Sequence, residues 1–141
     1  MKGWSWLAAV LLALAGCAQF ESQGATGGLG GSSWQLVRFQ GGDGSVATPD
    51  DRAKYTLAFR ADGSLGARVD CNRGHGTWKS SAPNQLELGL MALTRAMCPP
   101  DSLHDRFIRQ LPFVRSYMIK EGRLFLSLMT DGGMYEFEPS R

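Results

Sequence analysis

Residues Val69–Cys98 read VDCNRGHGTWKSSAPNQLELGLMALTRAMC, and the reading of this stretch decides the fold. It carries two of the three cysteines, strand-like segments around Trp78 and Leu86–Leu90, and the densest run of turn-forming residues in the chain. The reading is that Cys71 and Cys98 close a disulfide across it and pin a small β-barrel.

Outward from that stretch, apolar alternation at period two marks the strands. Upstream, Tyr55, Leu57 and Phe59 share one face, and Ala61-Asp62-Gly63-Ser64 makes a hairpin turn. Leu65, Ala67, Val69 and Cys71 continue the pattern on the return strand, which points Cys71 inward. Asn72 tolerates a left-handed backbone, so a bend is expected there, followed by a short strand at Gly76–Ser80 around Trp78. Ala82-Pro83-Asn84 turns the chain. Leu86, Leu88 and Leu90 form the next face, and Met91–Cys98 reads as strand rather than helix. Nearer the N-terminus, Trp34–Gln40 is the first strand, with Trp34, Leu36 and Phe39 inward, and 41–51 is a loop of turn-favouring residues.

Downstream, Pro99-Pro100-Asp101 breaks the pattern and one helix follows. Ser102 and Asp105 fit a capping box, Leu103, Phe107, Ile108 and Leu111 lie on one helical face, and Pro112 ends the helix. Then come a strand at Phe113–Ile119, a turn at Lys120-Glu121-Gly122, and an alternating face of Leu124, Leu126 and Leu128. A turn at Asp131-Gly132-Gly133 leads to a last strand, Met134–Glu138, with Tyr135 and Phe137 on one side. About eight short strands and one helix predict a mainly β fold, closed or nearly closed as an antiparallel barrel. Closure removes sheet edges that would otherwise aggregate.

The 141 residues suffice for one domain, and 43% hydrophobic with 10% aromatic content suits a globular core. Lys+Arg 15 against Asp+Glu 13 is balanced and scattered, which excludes an electrostatic footprint for nucleic acid. The 18 glycines sit mainly in a linker and in turns.

The N-terminus reads as an address. Lys2 precedes an apolar run, Trp4–Leu14, of about 11 residues, too short to span a bilayer core that needs ~20. It fits a secretory signal peptide. Leu14-Ala15-Gly16-Cys17 resembles a bacterial lipobox, which implies cleavage after Gly16 and acylation of Cys17. Residues 1–16 are then a lipoprotein signal peptide, and 17–33 the lipidated cysteine with a Gly/Ser-rich tether. The folded domain is expected at 34–141. Ala18 in place of aspartate implies the outer membrane by the sorting rule of such proteins. The tether from Ala18 to Ser33 spans roughly 20–24 Å as a coil, and more than one acyl chain is needed for stable anchoring.

These residues resemble the META/HslJ family of bacterial envelope proteins. The matches are Trp34-x-Leu36, Tyr55-x-Leu57-x-Phe59, Asp62-Gly63, Cys71-Asn72-x-x-x-Gly76, Met91-Ala92-x-Thr94-x-x-Met97-Cys98, Phe107, Leu111 and Tyr135-x-Phe137. The resemblance covers 34–138, and its Cys-Asn and Thr-x-x-Met-Cys elements are specific. It implies a lipocalin-like β-barrel with one α-helix, in the outer membrane or periplasm, linked to heat shock or antibiotic tolerance. It carries over no catalytic residue. Gly74-His75 departs from the family, which has an aromatic or apolar pair there, and puts the local core contacts in question.

Several residues are weighed as sites. With Cys17 lipidated, Cys71 and Cys98 remain in an oxidising compartment and pair. Closing about 28 residues is worth roughly 3–4 kcal/mol, a large share of a small domain's ~5–15 kcal/mol. A metal site built on Cys71, His75, Cys98 and His104 has neither usual zinc spacing, so none is expected. His104 reads as a solvated helix residue. Asp50, Asp51, Asp101 and Asp105 read as solvated acids, and the loop at Asp43 lacks the glycine and glutamate of a calcium-binding loop. No hydrolase or phosphate-binding motif occurs, so neither an enzyme nor a cofactor is expected. Arg73, His75 and Trp78 are a candidate binding rim. The plainer and favoured reading puts Trp78 in the core and leaves Arg73 a solvated turn residue.

The expectation is a non-enzymatic, lipid-anchored envelope lipoprotein facing the periplasm, in envelope maintenance or stress tolerance. Its partners would be the membrane, through Cys17, and an unidentified envelope protein. Rivals are a protein-binding inhibitor of a lysozyme or protease and a small-ligand carrier. Inward leucines and aromatics look sufficient to fill a small barrel, which argues against the carrier.

Overall fold

Apolar alternation places the strands where the sequence reading expects most of them. In the computed structural model, which describes residues 28–141, the leader, Cys17 and all but the end of the tether lie outside the described residues. The strands, in chain order, are β1 Ser32–Gln40, β2 Val46–Ala47, β3 Tyr55–Phe59, β4 Ser64–Val69 and β5 Asn72–Lys79. β6 Glu87–Leu88, β7 Ala92–Leu93, β8 Val114–Lys120, β9 Arg123–Leu128 and β10 Met134–Pro139 complete them. The single α-helix among the described residues, α1, is His104–Gln110.

Two antiparallel meanders, β3-β4-β5-β6 and β8-β9-β10, flank β1 in the order β6-β5-β4-β3-β1-β10-β9-β8. Short connections favour this, because Asp62-Gly63 and Glu121-Gly122 supply the positive φ that tight hairpins need: Gly63 87°, Glu121 52°, Gly122 73°. The ends meet at a bridge between Gln85 and Ser116. Beside it the Leu86 N–H donates to Arg115 O (3.0 Å) and the Tyr117 N–H to Asn84 O (2.9 Å). The result is a nearly closed eight-stranded barrel, to which β2 adds on β1 and β7 on β5.

Inward residues fill it. Trp34, Leu36, Leu57, Phe59, Leu65, Leu124, Leu126 and Phe137 are all buried. The Phe59 ring stands edge-on to Trp78 at 5.5 Å. Helix α1 closes one end with Phe107, whose ring meets Tyr135 at 5.3 Å and Tyr55 at 6.2 Å. Two barrel tyrosines fasten the helix. The Tyr55 hydroxyl accepts the Leu103 N–H (2.8 Å), and the Tyr135 hydroxyl donates to Gln110 Oε1. Burial pushes both phenols above their ordinary range.

Several expectations need correction. The barrel begins before Trp34, since Leu29 is fully buried and the Gly31 N–H donates to Phe59 O (2.7 Å). Cys71 does not continue β4 inward. Asp70 takes φ 55°, the turn closes in two residues, and Cys71 is left exposed. The bend therefore falls at Asp70, and Asn72 opens β5, which is longer than the expected Gly76–Ser80 strand. Leu90 is 94% exposed, because the chain leaves the sheet after Leu88, and of Met91–Cys98 only Ala92–Leu93 is strand. The capping box does not form: Leu103 is the N-cap, and Asp105 pairs with His104 while the Ser102 hydroxyl accepts the His104 N–H.

Outside, Glu136 on β10 lies between Arg38 on β1 (2.6 Å) and Arg123 on β9. Burial alone would raise its carboxyl. Hydrogen bonds from Arg123 and Arg38 outweigh burial and hold it below its ordinary value of 4.5. A lowered folded-state value stabilises fully above that ordinary value and fades as pH falls through it. Glu136→Gln is expected to flatten the acid limb of a stability–pH curve, measured by urea unfolding below about pH 4.5. Phe107→Ala should cost about 3–5 kcal/mol, read as a lower urea midpoint at unchanged slope.

Candidate functional site

The hairpin from β4 to β5 is so tight that Val69 pairs directly with Asn72. Its geometry puts Cys71 at the tip and turns the next side chain, Asn72, wholly inward. Cys71 is joined to Cys98 with 5.5 Å between Cα atoms, across 27 residues of chain.

A buried amide must find partners for both its ends, and Asn72 finds them on the segment that Cys98 terminates. Its Oδ1 accepts from the Ala96 N–H (2.8 Å) and the Thr94 hydroxyl (2.9 Å), and its Nδ2 donates to Ala96 O (2.9 Å). Thr94 Oγ1 in turn accepts the Arg73 N–H at 3.0 Å. One side chain thus extends the attachment of this segment to β5 beyond the Thr94 N–H, which donates to Arg73 O at 3.0 Å. Residues 90–93 lie tight on β5 because β5 has glycines there. A Cβ on Gly74 would sit 2.4 Å from Ala92 O, and one on Gly76 2.9 Å from Leu90 O. This accounts for Gly74 at the position where the sequence departs from the family pattern.

His104, at the start of α1, completes the group. Its Nε2 faces Asn72 Nδ2 at 3.2 Å and its Nδ1 faces Asp105 Oδ1 at 2.9 Å. An amide nitrogen only donates, so Nε2 accepts and the proton is assigned to Nδ1. The His104 hydrogen bond holds the Asp105 carboxyl below its usual range. Between this strap and α1 runs an open groove of about 700 Å³, lined by Met91, Leu93, Thr94, Met97, His104 and Ile108.

The proposed rim does not assemble. Strand alternation sends Arg73 and His75 outward and Trp78 inward. Trp78 is 5% exposed and its Nε1–H donates to Arg60 O at 2.9 Å. Arg73 lies on a strand rather than in a turn. The four weighed metal ligands are also split, since the two sulfurs are bonded to each other and His75 points away. Among the described residues no group of three or more His, Cys, Asp or Glu is placed to hold a metal ion. Asp50 pairs with Lys54 (2.5 Å), and Asp51 and Asp43 accept the N–H groups of Ala53 and Ser45. Sequence reasoning missed the roles of Asn72 and Thr94. The available signal was a polar amide beside a cysteine and a threonine four residues before its partner.

The META domain family model matches residues 27–140. Among solved structures, an NMR structure of a protein from Burkholderia xenovorans is similar at TM-score 0.69 and 21% identity, covering 82% of this chain and 86% of that one. A DUF4847 family protein from Bacteroides vulgatus is similar at TM-score 0.60 and 15% identity, with 82% and 96% covered. At these identities the likeness is one of fold. None of the curated proteins matches.

Asn72→Ala leaves the Ala96 N–H and the Thr94 hydroxyl without their acceptor, so it should cost about 1–3 kcal/mol. With the disulfide intact, limited proteolysis should then cut faster between residues 90 and 98. Cleavage no faster than in the parent protein would show that the amide does not hold the strap.

Proposed function

Because this chain belongs to the META domain family, we propose that it is a non-enzymatic envelope lipoprotein, anchored to the outer membrane through acyl chains on Cys17 and facing the periplasm. Its role is in envelope maintenance or tolerance of stress and antibiotics. The observation that carries this reading is the Cys71–Cys98 bond at an exposed hairpin. Reducing compartments keep such pairs as thiols, whereas the envelope keeps them oxidised. The lipobox-like Leu14-Ala15-Gly16-Cys17 agrees with that compartment.

The protein acts through its outer surface. The barrel interior is occupied by its own rings and leucines, as expected for eight strands, which leaves the carrier reading little room. A second reading, a protein-binding inhibitor of an envelope hydrolase such as a lysozyme or protease, is favoured by one feature. The strap exposes Leu90 (94%) and, in the lining of the groove, Met97 (98%), and exposed methionine suits adaptable protein contacts.

Two measurements test these readings. Cys17→Ser should move the protein from salt-washed membranes to the soluble fraction on cell fractionation, the wash removing any purely electrostatic association, and continued sedimentation with salt-washed membranes would refute the anchor. If the second reading holds, Met97→Asp should abolish capture of an envelope hydrolase and relieve its inhibition. Unchanged hydrolase rates with the parent protein would end it.

A further inference from the structure

The outer surface of the barrel is electrostatically lopsided. Around β1, β9 and β10 the arginines are ion-paired: Arg38 and Arg123 share Glu136, and Arg52 pairs with Glu138 (2.8 Å). Across β3, β4 and β5 they are not. Arg68 and Arg73 stand directly opposite each other in the β4–β5 ladder, and His75 stands opposite Gly66. Arg60 folds over the same place, its Nη2 being 3.1 Å from where a Gly66 Cβ would lie. Among the described residues Arg60, Arg68 and Arg73 form no ion pair. The acid that acts on Arg60, Asp62, already accepts the Ser64 N–H (2.9 Å) and hydroxyl (2.6 Å).

Like charges directly opposite in a ladder destabilise it, so this face is held at a cost unless an anion covers it. Its floor is Ala58 paired with Gly66, which raises no long side chain. The face is therefore open and broad, suited to a charged surface more than to a small enclosed ligand. The chain also enters here. Gly31 bonds to Phe59, the residue before Arg60, so the stretch leading back to Cys17 joins the barrel at the border of the face.

We propose that the Arg60–Arg68–Arg73 face docks on an anionic phospholipid surface, the guanidinium groups taking headgroup phosphates, so that the domain lies against the bilayer. The inference rests on the lipid-anchored reading for its partner and orientation.

The test uses the full chain carrying Cys17→Ser, which has no acylation site, with vesicles in a sedimentation assay. Binding to phosphatidylglycerol-containing vesicles and not to pure phosphatidylcholine is expected, and it should weaken as salt rises. Arg68→Ala with Arg73→Ala should reduce it by roughly tenfold or more, whereas Arg115→Ala with Lys120→Ala, an equal charge change on β8, should not. Equal binding to both vesicles, reflecting only the apolar residues 4–14, would overturn the proposal. So would an equal loss in the β8 variant, or displacement by inorganic phosphate at an ionic strength where chloride does nothing, which would mark a small-anion site. Fractionation of the protein with Cys17 intact separates the two ideas. Membrane retention without vesicle binding sinks this inference alone, and vesicle binding without retention sinks the anchor alone.

Discussion

Two adjacent residues at one hairpin tip, Cys71 and Asn72, hold the strap that leads into the helix, one by a covalent bond and the other by hydrogen bonds. The strap needs both. It exposes Leu90 and Met97 and has two residues in a strand, so past Met91 and Leu93, which pack against the core, its end is fixed mainly by the clasp. Each hydrogen bond from Asn72 contributes about 0.5–1.5 kcal/mol, and loop closure by the disulfide roughly 3–4 kcal/mol. Beside a net stability of ~5–15 kcal/mol, that clasp is a large term.

The consequence reaches the core. Cys98 sits just ahead of Pro99-Pro100, and the chain then runs to Leu103, whose N–H is received by Tyr55. A few residues on, Phe107 enters the aromatic group of Tyr55, Tyr135 and Phe137. Clasp, strap and plug form one continuous piece. An eight-stranded barrel has room for a plug of this kind because its interior is about as wide as the side chains that fill it. The same filling directs any binding to the outside, where the groove beside Met97 and the arginines of β4 and β5 that have no ion pair lie.

Much of the barrel was legible from alternation alone. Tyr55–Phe59, the Asp62-Gly63 turn, Leu124–Leu126–Leu128 and Tyr135–Phe137 all stand where period two and turn chemistry put them. Their signals are local, since each needs only the pleat and a residue that accepts positive φ. The site was less legible. Period two carried past Val69 would turn Cys71 inward, but φ 55° at Asp70 closes the hairpin early and slips the register by one. A slip of one residue exchanges inside for outside, which is how Asn72 came to be core and Arg73 and His75 surface.

By itself, then, the sequence determined the class of fold, the pairing of two cysteines and the helical face that packs, because hydrophobic period and cysteine count are properties of the chain. Only the tertiary structure decided what Asn72 and Thr94 do, why Gly74 and Gly76 lack side chains, and which arginines are left without acids. Those depend on distances between strands far apart in sequence, and no periodicity records them.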